Sequence, residues 1–159
     1  MPHSRHNGLP GEALRSCGYR LLSWSDEAGA DLFVAERASL FLFVQGHPEY
    51  DPLALYREYR RDVKRFLAGE TPNYPELPRG YFDPASEAAF VDFRARAIAR
   101  RDAGLIGAFP AIAETAVRSC WREPARQLYA NWLSYLAQPE TGARRPERWL
   151  TRQRESVGE

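Results

Sequence analysis

Five consecutive apolar residues, Leu40-Phe41-Leu42-Phe43-Val44, run without a break into Gln45-Gly46-His47-Pro48-Glu49, and Asp51-Pro52 follows at once. A run this short, rich in aromatic and branched side chains and closed by Gly and Pro, reads as a strand apolar on both faces, the pattern of a strand covered on both sides. Asp51 supplies an N-cap and Pro52 a first-turn proline for a helix reaching about Ala68. Strand, sharp turn, helix is an α/β order. It aims whatever sits in the turn at the carboxyl end of a strand, where open α/β sheets place their ligands.

The neighbouring segments fit that class. Tyr19 to Trp24 and Asp31 to Glu36 read as further short strands, separated by breakers at Gly29 and at Ala38-Ser39. Within the helix that starts near Asp51, Leu55, Tyr59, Val63 and Phe66 form the buried stripe, and Gly69 stops it. A Pro-rich connector spans Thr71 to Pro78. Tyr81-Phe82-Asp83-Pro84 then opens a second helix to about Asp102. A short helix near Ala111 to Ser119 and a longer one from Arg122 to Gln138 follow, and everything after Pro139 is charged and expected to fray. Residues 1–138 are therefore expected to form one domain with a helical stretch at about 75–120, and 139–159 a tail.

At 159 residues, 44% of them apolar, the chain can bury one real core. Its formal net charge of +1 gives no electrostatic case for nucleic acid or an anionic membrane. The polar start Met1-Pro2-His3-Ser4-Arg5-His6 is not followed by a signal-peptide core, and the longest apolar run is too short to cross a bilayer. Two cysteines make no disulfide framework, so a reducing cytoplasm is expected.

The chemistry concentrates at His47-Pro48-Glu49. Proline biases His47 toward extended backbone, in which positions i and i+2 project to one side. An imidazole and a carboxylate presented together are the base and orienter of a nucleophile-base-acid triad: Glu49 fixes the tautomer, and the other ring nitrogen takes a proton from a thiol or alcohol. The bland alternative is a polar turn before a helix. Neither Cys17 nor Cys120 sits on a tight strand-to-helix turn, so both read as packing thiols rather than nucleophiles. His3 and His6 have no carboxylate or thiol partner at ligand spacing, so no metal site is expected. Arg61, with Glu58 one turn back, is placed to clamp a substrate carboxylate or to form a solvated surface pair. Trp121, Tyr129, Trp132 and Tyr135 read as core aromatics.

These residues carry a resemblance. Gly46-His47-Pro48-Glu49-Tyr50-Asp51, with Leu55, Glu58-Tyr59 and Arg61-Asp62, is similar to the signature of the homoserine O-succinyltransferase family, which includes O-acetyltransferases. Pro2-His3-Ser4-Arg5 upstream and Trp121-Arg122 with Leu128 to Tyr135 downstream resemble its other segments. The resemblance covers residues 2 to about 70 and 121 to about 138. It implies part of a flavodoxin-like fold of the class I glutamine-amidotransferase type. It also implies a cysteine that takes the acyl group from succinyl-CoA or acetyl-CoA and passes it to the hydroxyl of L-homoserine. On that resemblance His47 is the general base and Glu49 its partner, Arg61 and Ser4 contact homoserine, no resident cofactor is bound, and the family commonly forms homodimers.

Three departures accompany the resemblance. The family's nucleophile precedes its Pro-His-Ser-Arg segment, so the chain is expected to be its C-terminal part and inactive as an acyltransferase by itself, in need of the missing N-terminal half. The stretch from about Pro75 to Cys120 is longer and more helical than the family's usual form, and Pro124 stands where the family has a histidine. The strand Leu40–Val44 is expected to leave an edge and an apolar face open, so expression alone should give aggregation or weak folding. The competing expectations are a fragment of a class I glutamine amidotransferase and a non-catalytic remnant acting as an interaction module.

Overall fold

The computed structural model describes residues 1–4 and 7–138 of the chain, and the expected tail lies outside them. Two compact units are present, Met1–Pro48 with the chain from Pro124 onward, and Glu49–Glu123.

The first unit is built on a three-stranded antiparallel sheet in the order β1-β2-β3, comprising β1 (Arg20–Ser25), β2 (Gly29–Glu36) and β3 (Leu40–Val44). A short helix, α1 (Gly11–Ser16), precedes it; its six residues carry only Leu14 as a buried side chain, too little periodicity to be legible in the sequence. Between β1 and β2 the chain reverses at Gly29, whose φ of +69° suits a residue without a Cβ, and Ser25 Oγ accepts the Ala28 N–H at 3.0 Å. Register follows the aromatic side chains. Phe33 lies opposite Phe43 with rings stacked at 5.0 Å, and Tyr19 meets both edge-on at 5.5 Å. Leu14, Ala30 and Phe33 form the buried centre.

Among the described residues β3 is an edge strand, paired with β2 alone. Its apolar residues are only partly covered, Phe41 being 48% exposed. The open edge expected from the sequence is therefore present, while cover on both faces is not. Leu42, Val44 and Pro48 line an apolar cleft with Leu128, Tyr129 and Trp132 of α4 (Arg122–Leu136). The aromatic cluster expected as core is mostly not core: Trp121 is buried, but Tyr129 is 48% exposed.

The second unit is helical. α2 (Ala54–Leu67) begins a little later than expected because Asp51 acts one turn ahead, its Oδ1 taking the Leu53 N–H at 2.9 Å and its carbonyl the Ala54 N–H at 3.1 Å. Tyr59, Val63 and Phe66 are buried as the spacing predicts, and Leu55 only partly. α3 (Pro84–Arg100) starts at the expected Asp83-Pro84, Asp83 Oδ1 capping the Ser86 N–H at 2.7 Å. It ends at Arg101, whose φ of 45° is unusual for a side-chain-bearing residue. The Arg101 guanidinium offsets that strain: Nε donates to Phe66 O at 3.2 Å and Nη2 to Thr71 O at 2.6 Å, over the Phe66 ring. Ala103–Ala108 and Glu114–Ala116 are 3-10 turns, the second standing where a short helix was expected.

Phe82, Phe90 and Phe93 are the largest fully buried side chains, and the Phe90 ring lies 4.7 Å from Phe82, 5.4 Å from Phe109 and 5.5 Å from Tyr59. Phe90→Ala opens a cavity that these three rings cannot close and should cost about 3–5 kcal/mol, read from the urea midpoint. Asp83 is held below the usual carboxylate range by hydrogen bonds from the Ser86 side chain and then its N–H. A depressed native pKa means the cap stabilises fully above the unfolded Asp value of about 3.9 and fades as pH falls through the lower native value. Acid titration of helicity should show that loss, and Asp83→Asn, which keeps an acceptor without a titrating proton, should remove it.

Candidate active site

Along α2, positions 54, 57, 58 and 61 fall on one face, beside the buried stripe of Tyr59, Val63 and Phe66. Small Ala54 leaves room on that face. With Glu49, Tyr50 and Asp51 from the preceding turn, Ala54, Arg57, Glu58 and Arg61 line a cleft of about 390 Å³. The wall is held in place from behind: Trp121 Nε1 donates to Tyr50 O at 3.1 Å, and the Tyr81 hydroxyl donates to Pro52 O.

The charges in this cleft are tethered unequally. Arg57 donates to Asp51, a half-exposed pair, and the Arg57 hydrogen bond leads in holding the Asp51 carboxyl below its usual range. Arg61 forks onto the adjacent Asp62, Nε to Oδ1 at 2.9 Å and Nη2 to Oδ2 at 3.1 Å. This is not the Arg61–Glu58 surface pair that the spacing allowed. Two of its five N–H donors are thus engaged, and Nη1 keeps a further edge. Glu58 is different. Its Oε1 accepts the Tyr50 O–H at 2.7 Å, but Oε2 is buried with no hydrogen-bond partner among the described residues. That oxygen has lone pairs open to a hydrogen-bond donor.

The expected site residues divide between the units. Glu49 and Arg61 line the cleft of the second unit, whereas His47 and the exposed Ser4 belong to the first. There His47 follows the end of β3, and its backbone N–H donates to Pro2 O at 2.8 Å. Cys17 ends α1 and Cys120 precedes α4; both are exposed, so neither is the buried packing thiol that the sequence suggested, and neither occupies a strand-to-helix turn. His3, expected to lack a carboxylate, has Asp31 at 3.3 Å, a pairing that the antiparallel sheet creates across 28 positions of sequence. His6 lies outside the described residues. Sequence reasoning noticed Glu58 only as a neighbour of Arg61; the available signal was the 54/58/61 spacing, which places it on the Ala54 face.

The first unit thus carries the His47 turn at the end of a strand, and the second a cleft lined by guanidiniums and carboxylates, a mixed α/β arrangement of charged side chains. Comparison narrows this. The family model for homoserine O-succinyltransferase matches residues 1–143, and the chain belongs to that family. It is 46% identical over 138 residues to a homoserine O-succinyltransferase of Methylorubrum extorquens and 44% identical over 137 residues to one of Bradyrhizobium japonicum, covering 86% of this chain and 42% of each relative. A homoserine O-succinyltransferase of Nitrosococcus oceani is 33% identical over 142 residues, 87% of this chain and 39% of the relative. The chain thus spans about two fifths of the length of these relatives, whose C-terminal part it matches. No solved structure matches it. Among the described residues no helix is long and apolar enough to cross a membrane.

Tyr50→Phe takes away the hydrogen bond that Glu58 Oε1 accepts from Tyr50 and should destabilise the fold by about 1–3 kcal/mol. Glu58→Gln keeps an acceptor for Tyr50 and removes the buried charge, so it should leave stability equal or higher. Urea midpoints for the two variants check this; a strongly destabilised Glu58→Gln would mean that the carboxylate is held by the fold itself.

Proposed function

We propose that the chain supplies the proton-handling turn and the amino-acid pocket for transfer of a succinyl or acetyl group from coenzyme A to the hydroxyl of L-homoserine, in the cytoplasm. The observation that carries this reading is Glu58 Oε2, buried and without a donor, in the same cleft as Arg57 and Arg61. Homoserine brings an ammonium and a carboxylate. Glu58 takes the ammonium, and the remaining edge of Arg61 takes the carboxylate in a planar, charge-assisted pair. Ser4 adds a hydroxyl contact, on the strength of the family motif.

His47 is the general base and Glu49 the carboxylate that sets its tautomer. Neutral His47 removes the proton of a cysteine thiol, the thiolate attacks the acyl-CoA carbonyl, and the coenzyme A thiolate leaves with that proton. The base then takes the homoserine hydroxyl proton as the oxygen attacks the acyl-enzyme thioester, forming the ester and returning the proton to the cysteine sulfur. Cys17 and Cys120, exposed at a helix end and in a turn, do not serve as this sulfur. It comes from further family polypeptide, and the chain acts only when joined to it.

The test is turnover with both acyl-CoA donors and homoserine by the chain fused behind the preceding part of the Methylorubrum relative. His47→Ala should lower kcat by on the order of 10²–10⁴-fold. Arg61→Ala should raise the KM for homoserine, with Arg61→Lys restoring little, since lysine cannot present two parallel donors. Full turnover by His47→Ala would end the assignment.

A further inference from the structure

We infer that His3 and Asp31 are positioning residues for His47: their pairing clasps the Pro2-His3 segment across Gly46 and so fixes the backbone of the turn that carries the base. Among the described residues before α1, none lies in a helix or strand. Yet Pro2 is buried, and its carbonyl receives the His47 N–H at 2.8 Å. From this segment the His3 side chain reaches the sheet, Nε2 lying 3.3 Å from Asp31 Oδ1. The two side chains are only 18% and 13% exposed, so water screens their attraction weakly. Asp31 Oδ1 lies within ion-pair distance of the imidazole and makes no other hydrogen bond among the described residues, so the contact with His3 is what holds it. Oδ2 is steadied by Ser23 Oγ at 3.3 Å.

The placement of Asp31 gives the pair its purpose. Its carbonyl accepts the Gln45 N–H at 2.8 Å, the rung just beyond the β2–β3 pairing, so its carboxylate rises beside the point where β3 ends. Gly46 completes the device. A Cβ there would lie 2.8 Å from Asp31 Oδ1, 3.0 Å from Met1 Cβ and 3.1 Å from Pro2 O, so the glycine is required for close approach. Since Ser4 follows His3 directly, the same clasp sets the start of the segment assigned to homoserine. The inference rests on the reading of His47 as base for its catalytic meaning, and on geometry alone for its structural content.

Hydrogen exchange on the full chain separates the two. In Asp31→Asn and in His3→Gln, the peptide containing residues 45–49 should exchange about tenfold faster, the equivalent of one lost hydrogen bond, and peptides from β1 and α3 should keep the parent rate. Gly46→Ala should give the same local signature. The reversed pair, His3→Asp with Asp31→His, should restore protection, and the His47 ring resonances should shift in the single variants and return in the double. Unchanged exchange at 45–49, or equal loss throughout the first unit, overturns the clasp whatever the turnover assays give. Intact clasp behaviour beside an inactive fused protein would leave the clasp standing and remove the proposed function.

Discussion

Everything in the first unit that bears on function is set by the ladder between β2 and β3. Phe33 stacked on Phe43 fixes which residues face each other, because a slip of one position would turn both rings to the other face of the sheet. With that register locked, Asp31 falls opposite Gln45, and the chain leaves the sheet at Gly46. The location of His47 is therefore a consequence of aromatic packing several residues away. The turn itself contributes the absence of a side chain at Gly46, which lets a second segment lie against it.

The second unit obtains its cleft differently. One helix carries two faces: Tyr59, Val63 and Phe66 bind it into a core of phenylalanines, and Arg57, Glu58 and Arg61 are thereby set along the cleft, with buried Ala54 at its floor. Burial on one side gives orientation on the other at no further energetic cost. The rim is stiffened by hydrogen bonds from Tyr81, within the helical stretch at 75–120, and from Trp121 just after it. That stretch also furnishes α3 and hence the hydrophobic wall against which α2 is oriented, so its bulk has a structural use in this chain.

Much of this was legible from residue types. The strand Leu40–Val44, the cap at Asp83-Pro84 and the stop at Gly69 follow from local chemistry, because each depends on neighbours within a few positions. The family motif around His47 was equally plain. What escaped notice depends on distance in sequence. The His3–Asp31 pair exists only because the N-terminal segment lies beside the start of β2, where β3 ends. Arg61 chose adjacent Asp62 over Glu58, a rotamer preference that spacing cannot decide. The aromatic residues of α4 were read as core from their type alone, yet large apolar side chains are common on surfaces, and here Tyr129 and Leu133 are exposed.

The distribution of charge in the cleft has a logic that its near-neutral sum conceals. Arg57 and Arg61 each lean on a carboxylate that orders the guanidinium without exhausting its donors, a cheap arrangement at a half-exposed surface. Glu58 is held by one oxygen through Tyr50 and left wanting at the other. A tethered cation with spare donors next to a tethered anion with a spare acceptor fits a zwitterion better than it fits either ion alone. A simple anion would meet Glu58 as a repulsive wall, and a simple cation would meet the two arginines. On the proposed function, specificity against singly charged competitors comes from repulsion built into the same side chains that take the zwitterion. With a formal net charge of +1 this chain contributes little long-range field, so on the proposed function any discrimination by the cleft is local.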